Sequence, residues 1–108
     1  MEGATSLSHN TTWTNLWTLN LGDNSIGDKG AASLSKNTTW TNLQTLNLER
    51  NSISDVGATG LSMNNTWTTL QTLCLVDNKI GAEGAASLKK NQIWPKQIFI
   101  NIHYYSSL

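Results

Sequence analysis

The sequence has few of the residues that provide covalent cross-links or a strong electric field. Cys74 is its single cysteine, which excludes an internal disulfide and fits a reducing compartment. Charged residues make up only 13% of the 108 residues and the formal net charge is zero. A neutral chain exerts no long-range attraction on nucleic acid or an anionic membrane, so we expect neither as a partner.

Long apolar segments are also missing. No run approaches the roughly 18 apolar residues that a membrane-spanning helix requires. The segment Met1–Leu7 lacks the basic and then apolar layout of a secretory signal. We therefore expect one soluble, cytoplasmic domain.

A repeat of 27 residues organises most of the chain. Glycine, leucine, asparagine and tryptophan each recur four times at this spacing, and composition bias would not hold four residue types in one register. The repeated positions are Gly3, Gly30, Gly57 and Gly84; Leu7, Leu34, Leu61 and Leu88; Asn10, Asn37, Asn64 and Asn91; and Trp13, Trp40, Trp67 and Trp94.

Each unit combines two periodicities. Its first part has the pattern LxxLxLxxNxI, in which the alternating LxL predicts a short strand with Leu19 inward and Asn20 outward. Small and apolar residues at helical spacing follow, and they predict a short helix. Asp28 and Asp55 are predicted to cap these helices at their N-termini, and Asn37 to end one in a left-handed conformation. The three copies of the strand pattern are Leu16–Ile26, Leu43–Ile53 and Leu70–Ile80.

The pattern LxxLxLxxNxI followed by GAxxL resembles the leucine-rich repeats of the ribonuclease-inhibitor-like family, over about residues 2–95. The resemblance implies a right-handed α/β solenoid with a parallel sheet on the concave side and short helices on the convex side. Residues 1–95 would form the array, and residues 96–108 a degenerate terminal strand and tail. It also implies a buried ladder of Asn24, Asn51 and Asn78, and core positions at Leu16, Leu19, Leu21, Ile26, Leu43, Leu46, Leu48, Ile53, Leu70, Leu73, Leu75 and Ile80.

The helical segment is about one turn shorter than is usual in that family. Our hypothesis is that Trp40 and its equivalents fill the volume of the missing turn, since a tryptophan buries roughly 200 Å². The alternative is an exposed row of tryptophans that grips a ligand.

Both ends depart from the repeat. Met1 falls at the position equivalent to Asp28, so no strand precedes the first helix. Pro95 breaks the pattern, and Tyr105 replaces the ladder asparagine. Because repeat arrays need capped ends, we expect this chain to be marginally stable or to associate end to end.

The sequence offers no catalytic constellation. His9 and His103 occupy unrelated positions in the repeat, and neither has a carboxylate or cysteine at metal-ligand spacing. Glycines fall singly and form no phosphate-binding loop. We predict no enzyme activity, no cofactor and no bound metal.

The outward strand positions and the turns after them are the candidate binding surface. Arg50 and the tyrosines are the best anchors, because arginine and tyrosine are enriched in interface hot spots. The candidate partner-binding residues are Asn20, Asp23, Asn47, Glu49, Arg50, Cys74, Asp77, His103 and Tyr104.

Three functions remain open from the sequence. The first is a module that binds a protein partner through the concave sheet. The second is an enzyme regulator, either similar to small-GTPase activators of the Ran type or to inhibitors that cover an active site. The third is a fragment of a larger leucine-rich-repeat receptor with no autonomous function.

Overall fold

The computed structural model describes residues 2–102, so Met1 and residues 103–108 lie outside the description. Within that range, short helices and three-residue strands alternate along the chain. The elements are α1 (Glu2–Ser8), β1 (Thr18–Asn20), α2 (Gly27–Leu34), β2 (Thr45–Asn47), α3 (Asp55–Leu61), β3 (Thr72–Cys74), α4 (Ala82–Lys89) and β4 (Phe99–Asn101).

The four strands form one parallel sheet in the order β1-β2-β3-β4. Each strand pairs with the next at an offset of one repeat, so that Leu19 lies beside Leu46 and Leu46 beside Leu73. These leucines are buried, whereas the residues on either side of them are not. The α/β solenoid expected from the sequence is therefore confirmed.

The helices contain only seven or eight residues, a length that is not stable in isolation. They form because each packs on the helix of the next repeat, and small side chains allow a close approach. A methyl group on Gly57 would collide with the Asp28 carboxylate of the preceding repeat. None of the described helices is long and apolar enough to cross a membrane.

The predicted leucine and isoleucine positions form the core between helices and sheet. All eight in the second and third repeats are buried. In the first repeat Leu19 and Ile26 are buried, but Leu16 and Leu21 are only half-buried. Among the described residues no strand pairs with β1 on the side that faces away from β2, although α1 packs on α2.

The tryptophans are buried in three of four repeats, as the volume-filling hypothesis requires. Trp40 and Trp67 are fully buried and Trp94 is 3% exposed. Trp67 stacks on Trp94 with ring centroids 6.3 Å apart. Trp13, by contrast, is 45% exposed, so the alternative of a ligand-gripping row is wrong for the three later positions.

The asparagine ladder is present, but it has two buried members and not three. Asn51 accepts hydrogen bonds from the main-chain N–H groups of Asn24 and Ile26, and its amide donates to Leu21 O and to Glu49 O. Asn78 repeats this arrangement one unit later. The side chain of Asn24 is exposed and donates to Gly22 O within its own turn, because no described repeat lies before it.

The prediction that Asp28 and Asp55 cap their own helices is wrong. Asp28 lies inside α2 and accepts hydrogen bonds from the N–H groups of Ser54 (2.7 Å) and Gly57 (3.0 Å) in the next repeat. Asp55 accepts from Gly81 N–H and Gly84 N–H in the same way. Each carboxylate therefore accepts hydrogen bonds from main-chain N–H groups at the start of the following helix, and these bonds link two repeats.

The prediction that Asn37 ends a helix in a left-handed conformation is wrong, because α2 ends at Leu34 and Asn37 is not among the residues with positive φ. Its oxygen accepts from Trp40 N–H at 3.0 Å, and its amide donates to Ser8 O and Asn10 O of the first repeat. Asn64 and Asn91 make equivalent bonds. A second asparagine column therefore joins the repeats on the helical side.

Candidate functional site: the outer sheet face

The surface of the sheet that points away from the helices is called here the outer sheet face. Its side chains flank the central, inward-facing residue of each strand and reach solvent to different degrees. The strand side chains are Thr18, Asn20, Thr45, Asn47, Thr72, Cys74, Phe99 and Asn101.

Two predicted site residues form side-chain hydrogen bonds with the main chain of their own repeats. The side-chain oxygen of Asn20 accepts from Gly22 N–H at 3.1 Å, and that of Asn47 accepts from Glu49 N–H at 2.9 Å. These bonds orient the two amide groups on the outer sheet face. Cys74 takes the same position in the third repeat, where its free thiol is half-buried.

A row of alternating charge runs across the turns that follow the strands. Arg50 lies between Asp23 and Asp77, with N–O distances of 3.0 and 3.5 Å. All three have positive φ values, between 53° and 59°, a conformation that is uncommon for residues other than glycine. Each of these repeats therefore has the same tight turn, and each turn places one charged side chain at the equivalent position, so that the three side chains form a row.

The charges in this row affect one another. The hydrogen bond from Arg50 to Asp23 raises the pKa of the guanidinium, and the negative charges of Asp23 and Glu49 add to the effect. Arg50 therefore stays charged at every relevant pH. With Glu49 beside it and Lys79 in the third turn, the turn region has three carboxylates and two cationic groups, so it is slightly acidic within a neutral protein.

Arg50 is thus less available as an anchor than the sequence suggested. Its donors face two carboxylates, although the side chains of the row remain about half exposed (54–65%). A partner would have to compete with Asp23 and Asp77, or bind the row as a unit. The other predicted anchor, Tyr104, lies outside the described residues, as does His103.

The structure brings together Asn20, Asp23, Asn47, Glu49, Arg50, Cys74 and Asp77 along one side of the sheet. Phe99, at 60% exposure, forms an aromatic corner on β4. In the described part of the chain no group of three or more His, Cys, Asp or Glu side chains could hold a metal ion. The face offers hydrogen bonds, a charged row and one aromatic ring, which is chemistry suited to binding.

Sequence reasoning did not identify Trp17 as a surface feature, and it considered exposure of Trp13 only within the alternative of an exposed tryptophan row. Trp17 is 65% exposed, directly before the strand β1. The equivalent residues in the next two repeats are Gln44 and Gln71. An apolar residue where other repeats have glutamine is a sequence signal that could have revealed it.

Comparison with known families agrees with this geometry. A model of the leucine-rich repeat matches three segments, residues 14–35, 41–62 and 68–89, each covering a strand and the helix after it. The chain belongs to the leucine-rich repeat family. No curated protein is significantly similar to the chain. The three matched leucine-rich repeats coincide with β1 to α4, so three of the four strands of the outer sheet face belong to these repeats.

Proposed function

We propose that this leucine-rich repeat protein is a non-enzymatic module that binds a protein partner through its outer sheet face. The observation that carries the proposal is the regular row of accessible polar side chains on a rigid parallel sheet. Thr18, Thr45 and Thr72 lie side by side, and the charged row of Asp23, Arg50 and Asp77 borders them.

The mixture of groups favours a protein over other ligands. Neutral hydrogen-bonding side chains, one exposed phenyl ring and a short charged row are typical of protein interfaces. A nucleic acid would favour a basic surface, whereas the turn region here is slightly acidic. The lone half-buried thiol of Cys74 supports our further proposal that binding takes place in the cytoplasm.

The alternative of a GTPase activator has less support. An activating arginine stabilises negative charge on a transferring phosphoryl group. Arg50 is already held by Asp23 and Asp77, and no other arginine is present in the sequence.

The size of the face limits the affinity. Four strands about 4.8 Å apart give a sheet surface of a few hundred Å², whereas a standard interface needs about 800 Å² on each partner. We therefore expect weak, reversible binding unless the surface is extended.

The test is quantitative cross-linking and mass spectrometry of proteins bound to the folded chain. The sheet variant combines Glu49→Lys with Arg50→Glu, which reverses two charges of the outer sheet face without changing the net charge. The control variant combines Lys29→Glu with Glu83→Lys, two exposed residues on the helices. We expect a specific partner to be lost with the sheet variant and retained with the helix variant. Equal retention, or equal loss, with the two variants contradicts the proposal.

A further inference from the structure

A cavity of about 490 Å³ lies at the N-terminal ends of β2, β3 and β4. The charged row of Asp23, Arg50 and Asp77 follows the opposite ends of the strands, so the cavity and the row are separate features. The volume is in the range of small-molecule sites, about 300–1,000 Å³. We call this cavity the glutamine pocket, and its lining residues are Gln44, Thr69, Gln71, Pro95, Gln97 and Ile98.

The frame of the glutamine pocket is fixed by hydrogen bonds between repeats. Gln44 O accepts from Gln71 N–H at 2.8 Å, and Gln71 O accepts from Phe99 N–H at 2.8 Å. The Thr69 hydroxyl bonds Leu43 O of the preceding repeat at 3.0 Å, and its lone pairs can still accept. The pocket is therefore formed before a ligand arrives, which lowers the entropic cost of binding.

The side-chain amides of the pocket, in contrast to its main chain, are unbonded. Those of Gln44, Gln71 and Gln97 have no hydrogen-bond partner among residues 2–102. Gln44 is half-buried, and Gln71 and Gln97 are exposed. Each amide carries two N–H donors and one carbonyl acceptor. Three unbonded amides can thus reach a ligand from three consecutive repeats.

The fourth repeat departs from the others at positions that line the pocket. Gln97 stands where the second and third repeats have Leu43 and Leu70, both fully buried. Pro95 stands where they have threonine, for example Thr68. The first change replaces a core side chain by an exposed amide, and the second adds an apolar ring. Both changes alter the chemistry of the same cavity.

The glutamine pocket carries no charge. None of its six lining residues is ionisable, and residues 37–48 and 56–76 contain no Asp, Glu, Lys or Arg. Lys96 is adjacent in sequence but does not line the pocket. A charged ligand would lose water without gaining an opposite charge, which is costly. The ligand should therefore be neutral and rich in hydrogen-bonding groups.

Two other neutral ligands fit less well. Proteins commonly bind an unpaired nucleobase by stacking it on an aromatic side chain, and none of the lining residues is aromatic. An extended peptide is bound by main-chain groups at a free edge of a sheet. At this cavity Gln44 O and Gln71 O already accept hydrogen bonds from the following repeat.

We propose that the glutamine pocket binds a neutral saccharide. A sugar hydroxyl both donates and accepts, so it pairs with a side-chain amide, which offers an N–H and a carbonyl side by side. The C–H face of a sugar ring is apolar and can pack on Pro95 and Ile98. The site lies away from the charged row, and the proposal stands whether or not the outer sheet face binds a protein.

The first experiment is an NMR titration of the full chain labelled with ¹⁵N, because its spectrum shows the NH₂ groups of glutamine directly. The probes are glucose, galactose, mannose and N-acetylglucosamine, with maltose, lactose and chitobiose as disaccharides. We expect the signals of Gln44, Gln71 and Gln97 to shift and saturate with at least one sugar. The dissociation constant should be about a millimolar, because each new hydrogen bond replaces one to water.

Glycerol is the control for a general effect of hydroxyl groups, and it should cause no saturable shift. The proposal is overturned if no sugar gives saturable shifts up to about 50 mM. It is also overturned if the saturable shifts avoid the three glutamines, or if glycerol produces the same shifts as the sugars.

A variant of one amide tests the assignment. Gln71→Met keeps the length of the side chain and removes its hydrogen-bonding groups, so the dissociation constant should rise at least about fivefold. Gln92→Met is the matched control, because Gln92 is an exposed glutamine that does not line the pocket. It should bind the sugar like the unmodified chain. Equal dissociation constants for the two variants contradict the proposal.

Gln97→Leu separates a role in binding from a role in folding. The change restores the leucine of the other repeats, so we expect weaker sugar binding with no loss in the free energy of unfolding. Unchanged binding contradicts a role for this amide in the site. The double variant Glu49→Lys with Arg50→Glu should bind the sugar normally, which distinguishes failure of this proposal from failure of the protein-binding proposal.

Discussion

The first and second repeats have the same residues at their key positions and use them differently. Trp40 is fully buried, but Trp13 is 45% exposed. The Asn51 side chain joins two repeats through three hydrogen bonds, but the Asn24 side chain bonds only inside its own turn. The role of a residue in this array depends on the repeat that lies before it. Substituting each pair of equivalents is the most direct way to test this difference.

The largest expected effect is at the tryptophans. Trp40→Ala should lower the free energy of unfolding by about 3–5 kcal/mol, because it leaves a large cavity in the core. Trp13→Ala removes a side chain that is already half in solvent, and it should cost less than about 1 kcal/mol. Denaturant melts of the two variants, made at low protein concentration, give both values. Equal losses would show that the contribution of a tryptophan to the free energy of unfolding depends on its position in the repeat and not on the neighbouring unit.

The ladder asparagines should differ by a smaller amount. Asn51→Ala removes the buried amide that bonds the N–H group of Asn24 and the carbonyl of Leu21 across the repeat boundary, so we expect a loss of roughly 2–3 kcal/mol. Asn24→Ala should change stability by less than about 0.5 kcal/mol, as is usual for exposed sites. Thermal and denaturant unfolding measure the difference. A loss at Asn24 as large as that at Asn51 would contradict the structural assignment.

The smallest effect concerns the carboxylate that links the first two full repeats. Burial of Asp28 opposes its ionisation, but hydrogen bonds from the Ser54 side chain, Ser54 N–H and Gly57 N–H outweigh this, so the pKa is lowered. A lowered pKa gives stability that is present above the ordinary carboxyl pKa and is lost as the pH falls through the folded value. Asp28→Asn should cost about 1–2 kcal/mol at neutral pH, and the cost should fade below about pH 4.

Unfolding measured from neutral to acid pH tests this prediction. Asp77→Asn is the control, because Asp77 is exposed and exposed ion pairs contribute little. The prediction is wrong if the profiles of Asp28→Asn and the unmodified chain run parallel down to the acid limit.

The fold could be predicted from the sequence because every unit carries the same leucines at the same 27-residue spacing. The sequence was not sufficient where the partner of a group belongs to another unit. Asp28 was assigned to its own helix because those amides are nearest in sequence, yet the amides that it bonds lie 26 and 29 residues further on. The pairing of Arg50 with Asp23 and Asp77 could have been predicted, since opposite charges one repeat apart must lie side by side.

The candidate surface was easier to locate than to interpret. Strand alternation placed Asn20, Asn47 and Cys74 on one side of the sheet, and the structure agrees. Alternation alone carries no information about which charged groups pair, and only the 27-residue spacing between Asp23, Arg50 and Asp77 indicates that Arg50 is engaged. The exposure of Trp13 depends on the absence of a neighbour among the described residues, which a periodic pattern does not express.

The side-chain bonds between repeats span only 25 to 30 residues. Removal of a whole 27-residue unit would bring together two surfaces that already carry the matching asparagines, leucines and tryptophans. Gene segments that encode single units could therefore be lost or duplicated in evolution, and the joint would need no compensating substitutions. The number of repeats could therefore change during evolution while the packing between the remaining repeats stays the same.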